Sequence, residues 1–312
     1  MRATTPVQKP AGQEGGGKQP GPAFPPLPDA PAWQPPPPGA AHRLLAGALP
    51  TYYERWGGDG HSSEERPPVL LLHGGGTGAF SWWGQAPALA ERYDVYVPER
   101  RGHARTPDAD GPISYEAMAD DTAAFMVAAG LRTARVVGWS DGATVALHLA
   151  LRHPELVERL VVIGGGVTRE GATPAADALI HDDASRELLA GMFAPQYEPL
   201  SPDGPAHFPV VFAKLLRMWR AGTGIELADL ARITVPVLVM QGDDDGVRVE
   251  HSAEMVAALP DAQLAVVPGT SHALPLEKPA LVAGLLLDFL GEDREARPAK
   301  MMPLGVKSPG RG

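Results

Sequence analysis

The sequence predicts an α/β protein with a mostly parallel central sheet, helices on both faces and a helical lid. Two observations carry that expectation. From Pro67 onward, short runs that are apolar throughout alternate with longer stretches whose apolar residues recur at helical spacing. Residues 167–234 then interrupt the alternation without offering a strand. A strand apolar on both faces must be covered on both faces, and parallel strands joined through helices achieve this.

The elements follow in order. "PPVLLLHGG" (67–75) and "YDVYVPE" (93–99) read as buried strands. "SYEAMADDTAAFMVAAG" (114–130) reads as a helix that stops at glycine, and "ARVVGWS" (134–140) as a third strand. "GATVALHLALRH" (142–153) is a helix rich in small residues and closed by Pro154, and "VERLVVIGG" (157–165) is a fourth strand. "PVLVMQGD" (236–243) and "AQLAVVPGT" (262–270) are the fifth and sixth, followed by helical patterns at 250–259 and 277–290. Upstream, residues 42–58 offer one or two antiparallel edge strands. Within 167–234, the stretch 208–220 brings Phe208, Phe212, Leu215, Leu216 and Trp219 near one helical face. An insertion of that size above the carboxyl ends of the strands is expected to be the lid over a site.

Domain organisation follows from composition. Residues 1–41 are dense in proline and glycine and read as a disordered tail, in which Phe24 and Trp33 are the candidate partner anchors. Residues 42–291 are expected to form one domain, with the lid at about 167–234, and 292–312 a second loose tail. With 44% hydrophobic and 21% charged residues, the middle can bury a sizeable core. The net charge of -10 argues against nucleic-acid and anionic-membrane partners, whose binding rests on cationic side chains. Cysteine is absent, which excludes disulfides, a thiolate nucleophile and cysteine-ligated metals. No apolar run is long enough for a signal peptide or a membrane helix, so a cytoplasmic location is expected.

The chemistry centres on Gly138-Trp139-Ser140-Asp141-Gly142, placed where a strand becomes a helix. A serine on so sharp a turn needs glycine on either side, because side chains there would collide with neighbouring backbone. The turn lifts Ser140 out of the sheet and sets the Asp141 N–H at a helix N-terminus, where it can stabilise a negative oxygen. A serine hydroxyl also needs a base, and the base an orienter. The loops after the last two strands supply Asp243, Asp244, Asp245 and then His272, in the chain order Ser, Asp, His. His103 reads as a turn residue beside glycine, His153 as a helix C-terminal residue and His251 as a solvated residue that opens a helix, and Glu170 is the one acid after the preceding strand.

Residues 50–290 resemble the α/β-hydrolase superfamily, on His73-Gly74-Gly75-Gly76, Glu99-Arg100-Arg101-Gly102-His103, the Gly138–Gly142 elbow, the Gly-x-x-Asp loop and the Pro-Gly-Thr-Ser-His loop. The resemblance implies Ser140 as nucleophile, His272 as base and Asp245 as orienter, with Asp244 the alternative acid. It also implies an oxyanion hole from the N–H groups of Gly75 and Asp141, with His73 bracing the loop. Glu99 and Ala104 stand where the superfamily usually has aspartate and a second glycine, at structural positions. The elbow resembles that of the valacyclovir-hydrolase-like branch, which acts on α-amino acid esters. There Asp141 would face a substrate ammonium, whereas the plain alternative is a capping carboxylate on its helix. The expected activity is hydrolysis of a small-molecule carboxylic ester, with no metal or organic cofactor. Acyl transfer, cofactor-free perhydrolysis and a non-catalytic binding protein are the rival readings. Oligomeric state is not encoded in these motifs.

Overall fold

The computed structural model describes residues 39–57 and 66–291; Phe24, Trp33 and nearly all of both expected tails lie outside the described residues. The sheet has eight strands in the order β1-β2-β4-β3-β5-β6-β7-β8. They are β1 (Ala40–Ala46), β2 (Leu49–Trp56), β3 (Pro68–Leu72), β4 (Asp94–Pro98), β5 (Ala134–Trp139), β6 (Val157–Ile163), β7 (Val237–Asp244) and β8 (Ala262–Ser271). β1 and β2 form an antiparallel hairpin at one edge, and β2 meets β4 antiparallel. Every pairing from β4 to β8 is parallel. β1 begins at Ala40, inside the segment expected to be tail.

The strands are apolar throughout because each face meets a separate core. Successive side chains on a strand point to opposite faces. Leu70, Leu72, Val136, Leu160, Val162 and Val239 accordingly lie in one cluster, with Met118, Phe125 and Leu147. Val69, Leu71, Val137, Val161, Ile163 and Met240 lie in the other, with Trp82, Leu89 and Phe289. Each fully buried Leu, Val or Ile contributes about 1.5–3 kcal/mol of burial.

The helices are α1 (Ala86–Leu89), α2 (Tyr115–Ala128), α3 (Asp141–Arg152), α4 (Pro174–His181), α5 (Arg186–Tyr197), α6 (Phe208–Ala221), α7 (Val249–Ala258), α8 (Leu274–Glu277) and α9 (Pro279–Gly291). α2 starts where Ser114 accepts a hydrogen bond from the Ala117 N–H, and α4 starts with Thr173 accepting from Ala176 and Pro174 in its first turn. Residues 167–234 carry α4, α5 and α6, where the sequence offered α6 alone. α6 buries Phe208, Phe212, Leu215 and Leu216 as expected, with Val211 and Met218 beside them, while Trp219 is partly buried.

The loop after β4 explains the two unusual residues. Buried Glu99 accepts from the N–H groups of Ala79 and Arg105 and from the Arg105 guanidinium. Burial pushes its carboxyl up to about 7, against the opposing pull of Arg105. Ala104 holds φ 45°, a left-handed conformation that glycine adopts more cheaply. Gly78 makes room for both: a Cβ there would come within 2.8 Å of Ala104 Cβ and of Glu99 Oε1.

The strand-to-helix turn is where backbone meets backbone. A Cβ on Gly142 would stand 2.1 Å from the Leu72 carbonyl oxygen, and one on Gly138 2.1 Å from the Gly142 carbonyl oxygen. Gly142→Ala is therefore expected to lower stability by about 3 kcal/mol or more. Gly191→Ala, at an open helical position with nothing within 4 Å of the added methyl, should raise it by about 0.5–1 kcal/mol. Urea unfolding of both variants checks the contrast.

Candidate active site

Ser140 sits between β5 and α3 with φ 57° and ψ -123°, a strained conformation for a residue with a Cβ. Its N–H donates to the Ile163 carbonyl at 2.8 Å, which ties the turn to β6. β7 and β8 are paired as far as Asp244 and Ser271, so the next residues of each strand, Asp245 and His272, emerge side by side. The three side chains meet in line: Ser140 Oγ is 2.9 Å from His272 Nε2, and His272 Nδ1 is 2.8 Å from Asp245 Oδ1.

Burial sets the three aspartates apart. The Asp245 side chain is 0% exposed, and its Oδ1 also accepts from the Val247 N–H. Asp243 and Asp244 are exposed, and Asp243 accepts from the Thr270 N–H instead. A carboxylate acceptor fixes the Nδ1–H tautomer of His272 and leaves Nε2 as an acceptor toward the serine. Gly164, at φ 58°, clears the space, since a Cβ there would lie 3.1 Å from both Asp245 Oδ2 and His272 Nδ1. Burial disfavours the His272 cation, but the Asp245 hydrogen bond and charge, with Asp141 adding, hold its pKa above the ordinary value for histidine. The loop is pinned from below by Trp139, whose Nε1 donates to the His272 carbonyl at 2.8 Å.

Gly75 follows β3 and lies against the elbow. A Cβ on Gly74 would be 3.5 Å from Ser140 Cβ, and one on Gly75 only 2.2 Å from Asp141 Oδ2. The Asp141 N–H opens α3, where the first helical donors have no intrahelical acceptor. His73 is fully buried and held well below its usual pKa by burial, with Arg100 and His103 adding. It accepts from the Arg100 N–H through Nε2 and sits 2.8 Å from the Gly74 carbonyl through Nδ1, which makes it a brace.

Asp141 differs from the capping expectation. Its Oδ1 accepts from Tyr115 Oη and its Oδ2 from Trp219 Nε1, both at 2.8 Å, and Ser140 occupies the N-cap without a side-chain cap bond. The carboxylate thus faces α2 and α6 rather than its own helix. Trp219 and Phe193 pack with ring centroids 5.5 Å apart, and Phe193 stands against Gly76. His153 and His251 stay apart from this group: His153 meets Asp120, and His251 is buried rather than solvated, accepting from the Val167 N–H. His103 contacts the Arg101 carbonyl, and its ring lies 5.2 Å from that of His73. Glu170 also stays apart; its carbonyl accepts from Arg248. The sequence assigns Trp219 only to a lid helix face and Arg100 only to a motif, and Tyr115 carries no signal of its place at this site.

A family model described as an alpha/beta hydrolase family matches residues 69–285. The chain belongs to the α/β-hydrolase family. Curated relatives agree: a protein of Azorhizobium caulinodans named "Putative carbamate hydrolase RutD" is 30% identical over 240 residues, spanning 70% of this chain and 88% of that protein. The protein of the same name from Stutzerimonas stutzeri is 30% identical over 237 residues, with 70% and 88% covered. Among solved structures, a meta-cleavage product hydrolase from Pseudomonas fluorescens IP01 superposes with a TM-score of 0.66 at 23% identity, covering 80% of this chain and 97% of that one, a likeness of fold. A hydrolase from Pseudomonas aeruginosa PA01 gives 0.61 at 25% identity, with 81% and 99% covered. The α/β-hydrolase is thus a hydrolase that acts on small molecules, and among its described residues no helix is long and apolar enough to cross a membrane.

The His272 ring should titrate above pH 6.5 by proton NMR of the full chain. Asp245→Asn should move that titration downward, because a neutral amide removes the charge that favours the imidazolium. Asp244→Asn should leave it in place. A downward shift with Asp244→Asn alone would move the orienter to that residue.

Proposed function

We propose that the protein hydrolyses a small carboxylic ester through an acyl-enzyme on Ser140. The observation that carries this reading is the continuous chain Ser140 Oγ–His272 Nε2–Asp245 Oδ1, at 2.9 and 2.8 Å. His272 takes the hydroxyl proton as Ser140 Oγ attacks the substrate carbonyl, and the developing imidazolium is stabilised by Asp245. The N–H groups of Gly75 and Asp141 stabilise the tetrahedral oxyanion. His272 then delivers its proton to the leaving alkoxide. Water, deprotonated by the same imidazole, releases the acid and restores the serine.

Residues 167–234 act as the lid in this reading. Its helices α5 and α6 enclose a cavity beside Gly76, bordered by Phe193, Tyr197, Phe208, Val211 and Leu215. The cavity is small and partly open, and His103 and Ala104 also line it. A largely apolar wall beside Gly76 is read as the seat of a short acyl group. The names of the RutD relatives favour a second substrate class, carbamates, which the same serine would attack at the same carbonyl position.

Ser140→Ala should lower kcat by about 10⁴-fold or more with the fold intact. A fluorophosphonate probe should label Ser140 in the native protein and nothing in the variant. Full activity in Ser140→Ala would overturn the reading. The kcat/KM profile should rise with pH through the His272 pKa, above 6.5, because only the neutral imidazole accepts the proton. Across p-nitrophenyl esters of increasing chain length, acetate and propionate should lead, and Phe193→Ala should shift the optimum to longer chains. An aryl carbamate in the same panel separates the two substrate classes: fast, complete turnover supports carbamate hydrolysis, and stalled carbamoylation supports the ester.

A further inference from the structure

Arg100, in the Glu99–His103 turn, runs its side chain to the backbone of the His73–Gly74 loop. It is 3% exposed. Its Nη2 donates to the His73 carbonyl at 2.6 Å and to the Gly74 carbonyl at 3.0 Å. Its Nε and Nη1 are buried without a hydrogen-bond partner, and it forms no ion pair with a described residue. A buried cation without a paired carboxylate is costly to keep. The cost is explained if the charge and the fork serve the loop above them.

The Gly74 carbonyl is where the donors converge. Besides Arg100, it receives Thr77 Oγ1 at 2.8 Å and the His73 ring at 2.8 Å. Among the described residues no peptide bond is cis. In a trans peptide the C=O and N–H point in opposite directions. Holding the Gly74 carbonyl down toward Arg100 therefore aims the Gly75 N–H of the same peptide unit away from Arg100, out of the loop's other side. Ser140 lies against this loop, 3.5 Å from a Cβ built on Gly74.

Charge points the same way. The Asp141 carboxylate lies close against Gly75, so that a Cβ on that glycine would meet its Oδ2. Its two acceptors are held by neutral donors, Tyr115 and Trp219, which satisfy hydrogen bonding but not charge. A bare negative charge beside a site that must build an oxyanion opposes the reaction. Asp141 is also the foremost favourable charge felt by Arg100. The guanidinium offsets that carboxylate from beneath the loop, in a dry setting where charges act over longer range than in water.

We infer that Arg100 is a positioning residue of the oxyanion site, which aims the Gly75 N–H through the Gly74 carbonyl and offsets the charge of Asp141. This rests on the proposed roles of Ser140, Gly75 and Asp141. Neither the superfamily resemblance nor the glycine pattern of the loop assigns Arg100 a part.

The test compares the full-length protein with Arg100→Lys and Arg100→Met. Measured are kcat and KM on a p-nitrophenyl ester, the affinity for a trifluoromethyl ketone that forms a tetrahedral adduct, and the near-UV circular dichroism. Removing one oxyanion donor outright costs about 10²–10³-fold in kcat. Misaiming it in Arg100→Met should cost about 10- to 100-fold, with KM changed by less than about threefold. Arg100→Lys keeps the charge and at least one carbonyl bond, so it should recover part of the loss. Ketone affinity should fall in proportion to kcat/KM across the series. If Arg100→Met does not fold, Arg100→Lys decides: a native-like spectrum with wild-type kcat and wild-type ketone affinity overturns the inference. So does a loss confined to KM. Absence of fluorophosphonate labelling and ketone binding in the wild type would instead overturn the serine reading beneath it, so the two failures are distinguishable.

Discussion

A serine held at φ 57° governs the arrangement of the rest. The conformation is unfavourable for any residue with a Cβ, by about 1–3 kcal/mol, so the surroundings must over-determine it. They do so with backbone. Gly138 and Gly142 approach each other and the end of β3 so closely that neither tolerates a methyl group. That approach brings the loop after β3 against the serine. It also fixes the height of Ser140 above β6, β7 and β8, whose ends then deliver Gly164, Asp245 and His272 at matching levels. The strain at one residue is what converts an ordinary parallel sheet into a place where three loops converge.

Much of this is legible in the sequence, for a definite reason. Strands buried on both faces must be apolar at nearly every position, so β3 to β7 stand out as runs, and β8 at the sheet edge does so although Leu264 and Val266 are exposed. The glycines of the elbow stand out because steric exclusion leaves no substitute. Asp245 and His272 are legible as candidates because each follows a recognisable strand; the sequence alone leaves three aspartates open, and of these only Asp245 is buried and meets His272. Other features leave no local trace. α5 buries Leu189 and Tyr197 alone and carries Pro195 within it, so its periodicity is weak. β1 begins in residues whose composition continues the proline-rich segment. The partners of Asp141 lie 26 and 78 residues away along the chain, and no spacing rule links them. Arg100 reads as one more charged turn residue until its side chain is seen to run inward.

The buried charges form a sequence of their own through the site. Arg105 meets Glu99 under the β4 loop, Arg100 runs unpaired beneath the β3 loop, Asp141 stands against Gly75, and Asp245 backs His272. Each is met by a different kind of partner: an opposite charge, backbone carbonyls, neutral side-chain donors, and a titratable ring. In a medium of low polarity such choices set the local potential more strongly than the net charge of the chain does. The -10 of the whole molecule is spread over its surface and is screened within about 8–10 Å at ordinary ionic strength.

Trp219 links that interior to the helical insertion at 167–234. Its indole N–H reaches from α6 to the carboxylate next to Ser140. In the proposed ester hydrolysis the product acid, ionised at neutral pH, would leave into the space beside that carboxylate. Were α6 to lift, Asp141 would lose one of its two hydrogen bonds and face the product as a less shielded negative charge. Opening the site and repelling what was made there would then be one event, so that departure of the acid needs no separate device, and a product anion returning from solution would meet the same repulsion at the door.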